Sequence, residues 1–469
     1  MKKFLNLKED PMIKGLYTIS RELGLRAFLV GGVLRDIFLS LPIGHDYDLV
    51  LGNGSLSPAN YMAELAERIA WNFQGSFFPL DLENRVYRVV IKTSSPLFPS
   101  PNPGQTMAFI DLSPIRGGDI AEDLRLRDFT MNAIALNLEG LFTGDDVDLT
   151  DPLGGQEDLE KGLVRACSEG AFIKDPIRLL RCIRLSAVCG LRIEEKTKGY
   201  IKKYACMLKD ASGERIRDEL FYILDLKTAC PYVENLSSLG LLKQILPYPE
   251  GCRYTFPAFK DIENLLTRIS DIAPSFASEL TDYFCEDVGG VSKTALLKFV
   301  AMIQDMVGDL FGKDRMTTAG RMAAEAGVRL KLSKKASHFI KDTTRYLPSA
   351  FDLLTTARLA DLYIYRFFKG GGRDGISPLF LSLSNIRANK GNIKEAVYRM
   401  ERVLRYLFEV FYVLTSSPLL TGAEIMEIFD IQQGKVVGDI IRMVEETRAR
   451  GHITDREDAV GYVRKMITS

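Results

Sequence analysis

A chain of 469 residues, 46% hydrophobic and 26% charged, is sized for two to four globular domains of ordinary soluble composition. Its 61 basic residues balance 61 acidic ones, which excludes a bulk polycation and leaves any nucleic-acid binding to local basic patches. No apolar run reaches the roughly 18 residues of a membrane span, the stretch from Met1 to Asp10 lacks a signal-peptide apolar core, and seven cysteines without metal-site spacing fit a reducing cytoplasm.

In chain order, Ala27–Val30 reads as a short buried strand, Val33–Leu41 as a helix and Tyr47–Leu51 as a second strand. Pro58–Trp71 has helical spacing, and Arg85–Lys92 and Met107–Leu112 alternate like strands. Four prolines between Thr93 and Thr106 forbid a central strand or helix there and predict a loop at the edge of the site, either a lid or a tolerated insertion. Asp123–Glu139 reads as a helix running into a strand. Beyond residue 150 strand signals thin out. Pro176–Cys189, Gly213–Leu226, Pro257–Ile269, Thr294–Met306, Arg358–Phe368 and Ile393–Leu414 have helical periodicity, and Thr421–Ser469 reads as two or three short helices separated by Gly434 and Gly451. The fold class is α+β, a mixed sheet with helices followed by an all-α remainder.

The chemistry concentrates near the N-terminus. Asp46 and Asp48, at i and i+2 of a strand, project from one face. Two such carboxylates are costly unless a cation stands between them. Mg²⁺ ions would supply that charge, and two-metal sites drive in-line displacement at phosphorus. The bland reading is two solvated carboxylates on an edge strand. Gly31 and Gly32 precede a helix N-terminus, an arrangement that cradles anions, and Arg35 lies one turn into that helix, within reach of a phosphate or of a surface ion-pair partner. Asp111 ends an apolar strand and is either a third site acid or a strand-end turn residue. Arg127, Asp128 and Asn132 are polar positions in the helix read over Asp123–Glu139; Asp128 and Asn132, four apart, share a face. They hold a ribose and phosphates or are polar pairs facing water. Asp175 is a good N-cap and Pro176 a good first helical residue. Arg178 and Arg181 follow at steps of three. In an Asp–Arg pair the Asp accepts from the exocyclic amine of cytosine or adenine while the Arg donates to the adjacent ring nitrogen, and uracil and guanine mismatch both.

The ordered set of motifs resembles the class II tRNA nucleotidyltransferases, the CCA-adding enzymes and their bacterial poly(A) polymerase relatives. Gly31 to Asp36 with Asp46-Tyr-Asp48 is similar to GGxxRD…DxD. Asp123 to Ala133 resembles DLxRRDFTxNA, Asp151 to Leu159 DPxGGxxDL, Lys174 to Arg181 EDPLRxLR, and Ser212 to Leu220 SxERIRxEL. The resemblance implies a nucleotidyltransferase head over residues 1–150, a base-reading neck over 151–230, a helical body over 231–415 and an RNA-binding tail over 416–469. It implies a template-independent enzyme that adds C and/or A from CTP and ATP to the 3′ end of tRNA with Mg²⁺, in the cytoplasm, with neither a membrane nor DNA as partner. Asp46 and Asp48 would hold the metal and Asp111 would be the third catalytic acid. Gly31, Gly32, Arg35 and Arg116 would contact the triphosphate, Arg127, Asp128 and Asn132 the ribose and phosphates, and Asp175, Arg178 and Arg181 the base. Two positions depart from the motifs: Leu126 stands for the first Arg of RRD, and Lys174 for the Glu of EDPLR. CC-adding, A-adding and poly(A)-adding relatives share the pattern, and a non-catalytic RNA-binding protein on the same fold is the alternative from another class. Leu296–Met306 resembles a decayed HD-phosphohydrolase segment with Gln304 where the His would stand. With three histidines in the chain, it reads as core packing.

Overall fold

The computed structural model describes residues 4–52, 61–92, 107–144, 147–246, 256–307, 312–388 and 391–468. The loop expected between Thr93 and Thr106, and the first residues of the helix expected from Pro58, lie outside them. The chain forms two compact units, one of residues 1–211 with 239–241 and one of 212–238 with 242–469.

The first unit is built on a seven-stranded mixed sheet. Its strands are β1 (Arg26–Val30), β2 (Asp46–Gly52), β3 (Ser76–Asp81), β4 (Val86–Lys92), β5 (Met107–Pro114), β6 (Ala135–Asn137) and β7 (Leu149–Thr150), in the order β3-β4-β5-β2-β1-β6-β7. Only β2 and β5 run parallel; the other neighbours are antiparallel. Strand alternation sorts the faces. Val89, Ile91, Ala108, Ile110, Leu112, Tyr47 and Leu49 are buried on one side, against which the helix Tyr61–Asn72 brings Met62, Leu65, Ala66 and Ile69. The other side is divided. Phe28, Val30 and Val50 pack with Leu124, Ala133 and Ala135 at one end, while Asp46, Asp48 and Asp111 stand at the other. Strand β3, which the sequence reading lacks, is an edge strand whose side chains are nearly all exposed. Its Pro79 is tolerated because only one side of the strand is paired.

The segment read as a helix running into a strand over Asp123–Glu139 does reach a strand, β6, but its helical part is two shorter pieces, the helix Ile120–Arg125 and a 3₁₀ turn Thr130–Asn132. Residues 127–130 leave the helix because their backbone is bonded elsewhere. The Cys167 N–H donates to the Asp128 carbonyl at 3.0 Å and the Thr130 N–H to the Arg165 carbonyl at 2.9 Å, while the Thr130 hydroxyl donates to Asp158 at 2.7 Å. Similarly, the helix Arg178–Cys189 has Ile177, not Asp175, at its N-cap; the Asp175 carbonyl accepts from the Arg178 N–H at 3.1 Å.

The second unit is helical. Gly213–Asp225, Lys293–Met306 and Asp361–Gly371 lie close to their expected bounds, and the segment from Ile393 runs through a π turn at Tyr406–Phe411 into Tyr412–Ser416. Several helices here have no counterpart in the sequence reading, Cys230–Ser238, Ala277–Cys285 and Gly312–Arg329 among them, and two more are hidden by their composition. Lys334–Thr355 contains Pro348, and Ile376–Ala388 is buried on almost every side. The last three helices, Gly422–Phe429, Lys435–Ala449 and Arg456–Thr468, bury their own cluster of Ile425, Ile440, Val444 and Val463. Among the described residues no helix is long and apolar enough to cross a membrane.

Candidate active site

The acidic end of the sheet is a consequence of register. Asp48 on β2 pairs with Asp111 on β5, and Asp111 pairs with Arg88 on β4. In-register neighbours share a face, so Arg88, Asp111 and Asp48 form one row across three strands, with Asp46 two residues from Asp48 on the same face. Burial pushes the Asp48 carboxyl up to about 6 against the pull of Arg127, and Asp111, Asp128 and Asp46 add to the rise. Asp46 is also raised, by burial first, with Arg88 opposing and Asp111 adding.

Gly31 makes the approach to Asp48 possible. Its φ is +79°, and a Cβ on it would lie 2.5 Å from Asp48 Oδ2, so a side chain there is both strained and obstructed. Gly32 is under no such constraint. It opens the helix Gly32–Leu39, whose first N–H groups are donors without helical acceptors.

An open cleft of about 340 Å³ lies beside Asp48, lined by Gly31, Gly32, Arg35, Arg116, Arg127, Asp128, Asn132, Arg178, Arg181, Arg184 and Leu185. Six arginines against Asp48 and Asp128 make it a site for an anion. Arg35, Arg116, Arg127, Arg178 and Arg181 are each aimed by a carboxylate or a carbonyl. Buried Asp123 accepts from the backbone N–H and Nε of Arg116, at 3.1 and 3.0 Å, and from Arg127 Nε at 3.3 Å. Arg35 donates to Asp36 at 2.8 Å and to Asn132 at 3.3 Å. Asp128 accepts from Arg181 at 3.4 Å and from Asn132 Nδ2 at 3.3 Å, so Asp128 and Asn132 meet although no helix joins them. Arg178 donates to the Ala171 carbonyl at 3.4 Å and stands 4.0 Å from Asp175.

Every catalytic or nucleotide-binding candidate named from the sequence therefore lies either in the acid row or on the arginine-lined cleft, apart from Asp175, which stands beside Arg178. The sequence reading missed three. Asp123, the first residue of its motif, is the common anchor of Arg116 and Arg127. Arg184 continues the three-residue step of Arg178 and Arg181. Arg88 sits at an ordinary alternating strand position and carries no local signal.

The two aspartates of β2 offer hard oxygen donors, and Asp48 in particular is destabilised as an anion by burial and by three neighbouring carboxylates. That donor set fits a divalent cation of the Mg²⁺ type. Asp111 has both oxygens engaged by Arg88, at 2.7 Å each. Among the described residues no three His, Cys, Asp or Glu side chains converge closely enough to hold an ion as they stand.

Residues 27–165 match the family described as Poly A polymerase head domain, and residues 190–252 that described as Probable RNA and SrmB- binding site of polymerase A. The chain is 32% identical to the CC-adding tRNA nucleotidyltransferase of Geobacter sulfurreducens over 99% of its own length and 97% of the relative's. It is 30% identical to the A-adding tRNA nucleotidyltransferase of Deinococcus radiodurans over 94% and 95%. The Thermotoga maritima CCA-adding enzyme complexed with tRNA shares the fold, with a TM-score of 0.65 over 100% of this chain and 96% of that one at 22% identity. Register, cleft and full-length similarity agree, and the chain belongs to the class II tRNA nucleotidyltransferase family.

Proposed function

We propose that this enzyme adds C and/or A, without a template, to the 3′ end of tRNA, using CTP and ATP with Mg²⁺ as the divalent cation. The observation that carries the reading is the pair Asp46 and Asp48 on one strand face beside a cleft lined by six arginines. Asp46 and Asp48 would hold the metal, which when bound supplies charge stabilisation at the transferring phosphoryl group and its leaving oxygen. Asp111 accepts the proton of the attacking 3′-hydroxyl. The first N–H groups of the helix Gly32–Leu39, with Arg35, Arg116 and Arg127, neutralise the triphosphate. Asp128 and Asn132 orient the ribose. Asp175 and Arg178 read the donor–acceptor edge that cytosine and adenine share, and Arg181 is tied back by Asp128.

We further assign residues 1–150 to the catalytic head, 151–230 to the base-reading neck, 231–415 to the body and 416–469 to an RNA-binding tail, in an enzyme of the cytoplasm. A second reading is a partial reaction, favoured by the near full-length similarity to both a CC-adding and an A-adding relative. Primer extension with CTP alone, ATP alone and both, on tRNAs ending before CCA, after C and after CC, tests both. Growth by CCA with both nucleotides supports the full activity. Growth that stops after CC, or that starts only from CC, assigns the partial one. No extension of any of them overturns the reading.

A further inference from the structure

Arg88 lies outside the arginine-lined cleft and none of the roles above uses it. Its guanidinium meets Asp111 as a planar fork, Nε to Oδ1 and Nη2 to Oδ2, both at 2.7 Å. One cation thus engages both oxygens of one carboxylate. The guanidinium carbon also lies 5.3 Å from the centre of the Phe109 ring, which holds the fork from a second side. The pair is about one-third exposed, 35% for Arg88 and 26% for Asp111, and ion pairs that wet contribute little to folding. What distinguishes it is its position. It closes a row in which Asp111 and Asp48 are direct cross-strand neighbours and Asp46 stands next to both, and like charges directly opposite one another repel.

We propose that Arg88 is a positioning residue that occupies Asp111 while the enzyme is free of metal, and gives it up when a divalent cation enters at Asp46 and Asp48. This rests on the metal-dependent reading of the same site. The fork would place one positive charge at the end of the acid row, keep Asp111 ordered, and engage both its oxygens until a doubly charged ion competes for them. Arg88 and the metal are then rivals for one carboxylate, so removing Arg88 strengthens metal binding, and does so only if Asp111 is present.

The experiment is a Mn²⁺ titration of the full-length, nucleotide-free protein, followed by electron paramagnetic resonance, on wild type, Arg88→Gln, Arg88→Lys, Asp111→Asn, the Arg88→Gln/Asp111→Asn double variant and Asp48→Asn. Thermal melting of each reports folding. Removing an opposite charge at this range should tighten Mn²⁺ about tenfold in Arg88→Gln. Arg88→Lys, which keeps the charge without the fork, should fall between it and wild type. In the Asp111→Asn background the Arg88→Gln change should matter less than about twofold, because competition for Asp111 is gone. Unchanged or weaker Mn²⁺ binding in folded Arg88→Gln overturns the inference, as does equal tightening with and without Asp111. If Arg88→Gln does not fold, Arg88→Lys decides: tighter binding than wild type supports the inference, and equal or weaker binding overturns it. Asp48→Asn separates the two levels. Loss of Mn²⁺ there upholds the metal site whatever Arg88 does, whereas binding equal to wild type removes the metal reading and this inference together.

Discussion

The two units of the chain handle charge in opposite ways. In the helical unit, Lys298 is buried and donates to Glu263 at 3.0 Å and to the Leu226 carbonyl. Glu263 in turn accepts from the Ala229 and Cys230 N–H groups at 2.5 and 3.2 Å, and Asp305 from the Ala258 and Phe259 N–H groups at 3.2 and 2.9 Å. Each carboxylate closes the start of a helix, and nothing is left over for a ligand. In the sheet unit, Asp48 is crowded by Asp46, Asp111 and Asp128 and held above its ordinary range, while the arginines across the cleft are tied individually to Asp36, Asp123 and Asp128. Charge that is fully paired inside a core specifies packing. Charge of one sign gathered at the edge of a cleft, with the other sign held opposite, waits for something to bind. The Asp305 network also explains the Gln304-Asp305 segment that resembles a decayed metal motif: its acid is a helix cap.

The contrast breaks most sharply at Asp48. Replacing it with Ala should lower kcat for incorporation of labelled CTP and ATP into tRNA by at least about a thousandfold, the scale of losing a catalytic acid or metal ligand. The apparent Kd for tRNA, read by filter binding, should change less than about threefold. Turnover within tenfold of wild type would mean that the acid row is not the reaction centre. In the helical unit, Lys298→Met should destabilise by about 3–5 kcal/mol, because it leaves Glu263 buried without its cation. Urea unfolding measures this, and the folded fraction should keep the wild-type kcat. A loss of kcat without loss of stability would place Lys298 in function and erase the distinction between the units.

How much of this the chain discloses varies with the physics. The acid pair is legible because a period of two on a strand is rigid: Asp46 and Asp48 share a face whatever the surroundings. Asp111 is only half legible, since the sequence reads it as a strand end that is either a third acid or a turn residue, whereas β5 runs on to Pro114 and its register sets Asp111 beside Asp48. The arginines of the cleft are legible as motif positions, but their partners are not. Asp123 and Asp128 reach them across turns that local periodicity reads as a continuous helix, and it is long-range bonding to Arg165 and Cys167 that interrupts that helix. Elements whose composition contradicts their structure are hidden. Pro79 conceals an edge strand, Pro348 lies inside the helix Lys334–Thr355, and Ile376–Ala388 is apolar on too many sides to show an amphipathic period. Arg88 is hidden for another reason, since one arginine at an outward strand position is what any half-exposed strand carries.

The finest test of the contrast is pH. Asp48 titrates near 6 in the folded, metal-free protein and near 4 when unfolded. Between those values the native state binds a proton that the unfolded chain has released, so stability contributed by protonated Asp48 is complete below about pH 4 and is lost as the pH rises through about 6. Asp48→Asn does not titrate and keeps it. In chelator, the unfolding free energy of Asp48→Asn should match that of wild type near pH 4 and exceed it above pH 7 by up to about 3 kcal/mol. Mg²⁺ should then narrow the gap by stabilising wild type alone, since a ligand that binds only the native state raises its stability by mass action. A gap that is constant with pH would mean that Asp48 is as well compensated as Glu263, and that the two units treat their charges alike.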